Sequence, residues 1–128
     1  MRLLLDTHTF LWYVWDAPEL SGTAISLIED SNHEKYVSVA SLWEMAIKVS
    51  TGKLALKRPF HDIKLELIDG NGFQLLPIDF AHTVTVSTLP FHHKDPFDRL
   101  LVAQSLTDDV AIVSMDTVFD SYGVRRLW

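Results

Sequence analysis

Four acidic residues stand where apolar segments end or where a predicted helix begins. They are Asp6, Glu44, Asp98 and Asp116. In an open parallel α/β sheet, the carboxyl ends of the strands form the ligand crevice. Carboxylates that gather there repel one another, and a hard cation such as Mg²⁺ relieves that repulsion when it binds between them. The placement of the four acids therefore predicts metal-assisted phosphodiester chemistry.

Each of these acids also has a simpler structural explanation when it is taken alone. Asp6 is a good helix N-cap. Ser41 and Glu44 fit the S-x-x-E capping box, in which the glutamate bonds back to the cap amide. Asp98 lies in the first turn of a predicted helix, where the macrodipole favours a negative charge, and Asp116 suits a turn after a strand. Four separate structural roles leave the shared position of the acids unexplained, so a common site is the favoured interpretation.

Strand-like and helix-like segments alternate along the chain. The predicted strands are 3–5, 36–40, 73–76, 110–114 and 124–127. The predicted helices are 9–15, a helix capped by Ser21, a helix from Ser41 to Gly52, a weaker helix between Pro59 and Gly72, 79–87, and a helix with Asp95 as N-cap that ends near Thr107. Strict alternation predicts an α/β fold with a parallel sheet and helices on both faces.

Composition limits the function classes. The 128 residues fit one domain, and 48% hydrophobic with 22% charged residues is typical of a soluble globular protein. The net charge of −6, from 11 basic and 17 acidic residues, disfavours a general nucleic-acid coat protein. The absence of cysteine excludes disulfides, thiolate zinc sites and a cysteine nucleophile. No segment is typical of a signal peptide or a membrane span, so we expect a cytoplasmic protein.

Other motifs add little chemistry. His92 and His93 are adjacent, no H-E-x-x-H occurs, and we expect both histidines in a solvated loop near the mouth of the site. Glycine motifs for dinucleotides, P-loops or α/β-hydrolases are absent. Trp12 and Trp15 lie on one predicted helix, where they either form a self-association surface or simply pack into the core.

The chain resembles the PIN-domain ribonucleases, specifically the VapC-type toxins of prokaryotic toxin–antitoxin pairs. The resemblance runs over nearly the whole chain and is carried by segments 3–8, 38–48, 52–54, 89–104 and 114–116. Its most specific part is the block 89–104, which contains Asp95-Pro96-Phe97-Asp98-Arg99. The four acids of the family correspond to the four acids named above, and Ser114 stands where the family has a small hydroxylic or amide residue.

This resemblance implies a single PIN domain over residues 1–128, folded as a three-layer α/β/α sandwich with a central parallel sheet. It also implies dependence on Mg²⁺ or Mn²⁺, cleavage of RNA, a homodimer, and inhibition by a cognate VapB-like antitoxin. In this interpretation Asp6, Asp98 and Asp116 hold one or two cations, while Glu44 completes the ligand set or orients the attacking water.

Further residues are candidates for supporting roles. Thr7 and Ser114 are expected to bond to a water in the metal site or to a phosphate oxygen. Asp95 is expected to cap its helix and lies one turn from Asp98, so it can face the same pocket. The basic residues expected nearest to the RNA backbone are Lys48, Lys94 and Arg99, although each also suits a solvated surface.

Two other classes of function stay open. One is another Mg²⁺-dependent phosphoryl-transfer domain, but a haloacid-dehalogenase-like phosphatase needs a second aspartate where this chain has His8, and a receiver domain needs paired acids after the first strand. The other is a non-catalytic binding module whose acids dock a basic partner segment. Metal-dependent RNA cleavage by the purified protein separates the three alternatives.

Overall fold

A five-stranded parallel sheet forms the centre of the protein in a computed structural model, which describes residues 1–128. The strands are β1 (Arg2–Leu5), β2 (Glu34–Ser38), β3 (Gln74–Leu76), β4 (Ala111–Val113) and β5 (Arg126–Leu127). The helices are α1 (Thr7–Val14), α2 (Gly22–Glu29), α3 (Val39–Ser50), α4 (Phe80–Thr88) and α5 (Pro96–Asp108). Short helical turns occupy Phe60–Asp62, Lys64–Ile68, Asp69–Asn71 and Thr117–Tyr122. The predicted α/β fold is confirmed.

Alternate residues of the central strand face opposite sides of the sheet. Leu3 and Leu5 belong to a core cluster that includes residues of α1 and α2. Leu4 belongs to a second cluster, to which α5 contributes Leu101 and Val102. All three leucines are fully buried, because helices cover both faces of β1. This arrangement gives the three layers of the α/β/α sandwich.

The order of the strands is β3-β2-β1-β4-β5. The chain builds the sheet outward from β1 through β2 to β3, and then returns to add β4 and β5 on the other side of β1. The junction between β1 and β4 is therefore the topological switch point, where α/β folds form a crevice at the carboxyl ends of the strands. Leu5 pairs with Val113 at this junction, so the residues that follow both strands start from neighbouring positions.

The predicted end of the second strand and the predicted starts of two helices are wrong. The second strand ends at Ser38 rather than Ala40, and α3 starts at Val39 rather than Ser41. Ser38 caps this helix by accepting a hydrogen bond from the Ala40 N–H. Likewise α1 begins at Thr7, two residues earlier than Thr9, because Asp6 supplies its N-cap.

Trp12 and Trp15 are both partly buried against the first core cluster, and Trp12 also contacts the ring of Trp128. Because both side chains keep some exposed surface, a self-association surface on α1 stays a prediction. None of the helices combines the length and the hydropathy that a membrane span needs.

Candidate metal centre

Asp6 and Asp116 follow the two strands that meet at the switch point. Asp6 comes directly after β1, and its carboxylate accepts the N–H of Thr9 at 2.7 Å. Asp116 lies three residues beyond β4 and accepts the N–H of Val118 at 3.0 Å. Both acids therefore cap a helical turn, as the simpler explanation of each one predicted. Capping fixes where the two carboxylates lie without neutralising their charge.

Ser114 connects these two acids. Its hydroxyl donates to the carboxylate of Asp6 and accepts the N–H of Asp116, the second contact measuring 3.0 Å. The sequence interpretation expected this hydroxyl to bond to a water in the metal site or to a phosphate oxygen. The side chain is instead fully buried, so it positions the acids. Arg126 supports it from behind by donating to the Ser114 carbonyl at 3.1 Å.

Glu44 lies inside α3, so the capping-box explanation of this residue is wrong. Its carboxylate accepts the hydroxyl of Thr7 at 2.8 Å, and the same hydroxyl lies 3.0 Å from that of Ser41. Lys48, one helical turn further along, lies 2.6 Å from the other carboxylate oxygen. The side chain of Glu44 is only 7% exposed, so these contacts hold a nearly buried carboxylate in one orientation.

Asp98 lies in the first turn of α5. Asp95 is the N-cap, as predicted, and accepts the N–H groups of Phe97 and Asp98 at 2.8 and 3.0 Å. Pro96 occupies the first helical position, which needs no backbone donor. The two acids are thus held one turn apart at the same helix end.

Negative charge is concentrated around Asp98. The pKa of its carboxyl is raised to about 7, first by burial and then by the nearby charges of Asp95, Asp6 and Glu44, while the charge of His93 opposes the shift. The sheet edge therefore brings Asp6, Glu44 and Asp98 close enough to interact, and their mutual repulsion raises the pKa of Asp98.

His93 is the residue that the sequence interpretation missed. It is not in a solvated loop: its Nε2 lies 3.0 Å from a carboxylate oxygen of Asp98 and 3.3 Å from one of Asp116. One possible ligand atom from each of these three residues lies within 4.8 Å of the others. The spacing H-x-D-x-x-D in His93–Asp98 was the available signal, because it places the histidine just before the helix start. His92 is exposed, as expected.

The basic candidates differ in role. Arg99 is 6% exposed and donates to the carbonyls of Val86, Leu89 and Pro90, so it holds a loop rather than RNA. Lys48 pairs with Glu44, and Lys94 is exposed.

The donors at this edge fit a hard divalent cation. Carboxylate oxygens are the ligands that Mg²⁺ and Mn²⁺ prefer. The raised pKa of Asp98 indicates that the clustered carboxylates lack the positive charge that such a cation brings. The Zn²⁺ alternative has no support, because the cluster offers one imidazole and no thiolate.

Comparisons with solved structures show a shared fold. The chain is similar to a chain of VapBC2 from Rickettsia felis bound to a DNA fragment from their promoter, with a TM-score of 0.75, 15% identity, and coverage of 99% of this chain and 98% of that one. It is also similar to FitAcB from Neisseria gonorrhoeae, with a TM-score of 0.65, 16% identity, and coverage of 98% and 96%. A structure of FitAB bound to an IR36 DNA fragment gives a TM-score of 0.64 at 18% identity, and coverage of 98% and 93%.

A search of curated proteins finds no match. The family model described as the PIN domain matches residues 3–124, a range that starts within β1 and ends just after the last helical turn. The matched range includes all four acids of the candidate centre together with His93. The chain belongs to the PIN domain family.

Proposed function

We propose that this protein is a Mg²⁺- or Mn²⁺-dependent endoribonuclease that acts in the cytoplasm, as a single domain, as the toxin of a VapC-type toxin–antitoxin pair. The observation that carries the proposal is the group of carboxylates at the switch point, where burial and the neighbouring acids together raise the pKa of Asp98 to about 7. Membership of the PIN family supports a metal-dependent nuclease in general terms. The choice of RNA and of these cations belongs to the proposal.

The proposed cation ligands are Asp6, Glu44, Asp98 and Asp116. A bound Mg²⁺ or Mn²⁺ supplies positive charge for the phosphate oxygens and lowers the pKa of the attacking water. Glu44 either completes the ligand set or orients that water, since Thr7 and Lys48 already fix its carboxylate. Ser114 keeps Asp6 and the backbone of Asp116 in register.

The proposed partners are an RNA substrate, a second copy of the chain, and a VapB-like antitoxin. Two of the similar structures are complexes named VapBC2 and FitAB, each bound to DNA, and their architecture supports the toxin assignment by analogy. The homodimer stays a prediction, and light scattering of the purified protein at tens of micromolar decides it.

The deciding experiment measures cleavage of a labelled single-stranded RNA by the purified protein with Mg²⁺, with Mn²⁺ and with EDTA. We expect cleavage with either cation and none with EDTA. Cleavage that persists in EDTA would reject the metal mechanism. Tight RNA binding without cleavage in any cation would favour the non-catalytic binding module.

Cation affinity is expected to rise with pH. A proton and a cation compete for the carboxylate of Asp98, whose pKa is raised to about 7. Below that pH, apparent affinity for Mn²⁺ should increase by up to about tenfold per pH unit, and it should level off above it. Calorimetric titrations with Mn²⁺ measure this affinity between about pH 5.5 and about pH 8.5, a range that extends about 1.5 pH units on either side of the raised pKa. A flat profile would show that Asp98 does not bind the cation.

RNA contact is expected at a partly exposed aromatic pair beside the acids. Trp43 directly precedes Glu44, Phe97 directly precedes Asp98, and the two rings meet edge to face at 5.2 Å. Trp43 is 57% exposed. Unpaired bases stack on such rings with about 1–3 kcal/mol each, so Trp43→Ala should weaken binding of a cleavage-resistant RNA analogue by about 5–150-fold.

The matched control is Leu65→Ala, which removes a more exposed apolar side chain on the segment between α3 and β3. Fluorescence anisotropy measures RNA binding, and sedimentation measures self-association. Unchanged RNA binding together with a shift to monomer would assign Trp43 to a dimer interface instead.

A further inference from the structure

His93 is fixed on the side away from the acids. Its Nδ1 accepts the backbone N–H of Asp95 at 3.1 Å, and its own backbone N–H donates to the hydroxyl of Tyr122 at 2.8 Å. Tyr122 in turn donates to the Pro90 carbonyl at 2.9 Å. The ring of Phe119 lies 6.3 Å away. The imidazole therefore has little freedom to turn.

These contacts determine where the ring carries its proton. An N–H group donates to Nδ1, so Nδ1 offers a lone pair and the neutral ring holds its hydrogen on Nε2. That Nε2–H is hydrogen-bonded to a carboxylate oxygen of Asp116 at 3.3 Å, and a carboxylate oxygen of Asp98 lies 3.0 Å from the same nitrogen. The polar Nε2–H group thus lies between two acids that otherwise repel each other.

We propose that His93 is a positioning residue whose Nε2–H holds the carboxylates of Asp98 and Asp116 together, and that it is not itself a ligand of the cation. The inference rests on the proposed metal centre and names a residue outside its four acids. It follows that the loop before α5 prepares two ligands that come from different parts of the chain.

Direct ligation by His93 conflicts with the same contacts. A ligating Nε2 needs a free lone pair, which moves the ring hydrogen to Nδ1. Nδ1–H would then face the N–H of Asp95 at 3.1 Å, and two donors repel. In contrast, the Oδ1 of Asp98 accepts no hydrogen bond from the protein, so it stays open for a cation while Oδ2 faces His93. Ligating carboxylates are commonly held by such outer hydrogen bonds.

Two substitutions of His93 test the roles of its two ring nitrogens separately. His93→Asn keeps an acceptor near the position of Nδ1 and loses the donor at Nε2. His93→Gln keeps a donor near Nε2 and loses the acceptor. His92→Asn is the matched control, because His92 is exposed and contacts the ring of Tyr122 but neither acid. Circular dichroism and thermal melts without cation establish that each variant folds.

The first measurement is affinity for Mn²⁺ alone. We expect His93→Asn to weaken it by about 10–100-fold, the usual effect of losing an outer hydrogen bond to a ligand. His93→Gln should recover most of the affinity, and His92→Asn should match the wild type. If His93→Asn does not fold, the result for His93→Gln decides. An affinity for Mn²⁺ that is lower than that of the wild type by about 10-fold or more overturns the inference.

The second measurement is spectroscopic. Pulsed EPR of Mn²⁺ bound to the wild type should show no directly coordinated ¹⁴N, and ¹⁵N NMR of the cation-free protein should show the Nε2–H tautomer of His93. A coordinated nitrogen that disappears in His93→Asn, the opposite tautomer, or wild-type affinity in His93→Asn would each overturn the inference alone. A wild type that binds no Mn²⁺ would reject the proposed metal centre, and the inference with it.

Discussion

Asp98→Asn is expected to abolish RNA cleavage while leaving the cation-free protein at least as stable as the wild type. The substitution removes a charge from the ligand set, so cleavage with Mg²⁺ or Mn²⁺ should fall by at least about 100-fold, a loss of about 2.7 kcal/mol in transition-state stabilisation. It also removes the carboxylate that suffers most from burial and from neighbouring acids. If Asp98→Asn instead lost activity because it unfolds, the variant would be less stable than the wild type.

The stability difference should depend on pH. The folded protein raises the pKa of Asp98 from 3.8 to about 7. Between these values the folded state keeps a proton that the unfolded state has released, so this carboxyl costs the wild type stability as pH rises. The shift corresponds to at most about 4 kcal/mol above pH 7, and solvent contact lowers that figure. Asp98→Asn escapes this cost, so its advantage should be small near pH 4 and should grow toward neutral pH.

Thermal and urea unfolding in EDTA across this range measure the effect. Asp109→Asn is the matched control, because Asp109 is an exposed residue at the other end of α5. Asp6→Asn is a weaker test, since Asp6 also caps α1 through Thr9. A variant that is equally destabilised at every pH would show that Asp98 serves the helix end rather than a strained centre.

The sequence predicted the acids of the centre because their positions depend on local signals. Short apolar runs mark buried strands, and the carboxyl ends of parallel strands share one edge of the sheet. Asp6 and Asp116 follow such runs, and the Asp95-Pro96 start of α5 places Asp98 at a helix N-terminus. Alternation of strands and helices was sufficient to predict the parallel sheet.

The partners of the acids were less accessible from the sequence. Glu44 matched a capping box with Ser41, but Ser38 caps α3, so tertiary contacts with Thr7 and Lys48 determine its orientation. Arg99 was expected either near the RNA backbone, as a basic residue close to the acids in sequence, or on a solvated surface. In the fold its guanidinium lies under Phe91, at 4.0 Å from the ring centre, and donates to loop carbonyls. Loop conformation cannot be read from residue types alone.

His93 shows the same limit more clearly. Adjacent histidines without a metal motif are usually solvated, so the pattern favoured a surface loop. Arg99 and Tyr122 instead fix that loop through the Pro90 carbonyl, and the backbone of Asp95 fixes the ring. His93 and Asp116 are 23 residues apart in the sequence, so their contact results from the fold and not from local spacing.

The second large effect concerns inhibition by the antitoxin. We expect an antitoxin segment to lay an apolar face along the protein and to direct an Arg or Lys toward the acids of the metal centre. Lys48 already pairs with Glu44 in this way at 2.6 Å, which shows that the edge accepts a cationic side chain. The exposed ring of Trp43 and the half-buried ring of Phe97 offer apolar contact next to it. Inhibition should then compete with the cation or with RNA.

The test uses the product of the neighbouring gene with its basic residues changed one at a time to Ala. One such change should weaken inhibition by about 30-fold or more, because truncating one partner of a buried charged pair costs about 2–5 kcal/mol. Higher salt should weaken the electrostatic part of wild-type inhibition, whereas apolar contacts are less sensitive. A neutral-to-Ala change at a neighbouring position of the antitoxin is the control. If every basic-to-Ala variant still silences the nuclease at stoichiometric concentration, inhibition works by covering the RNA groove or by disturbing the dimer, since no single cation then neutralises the acids.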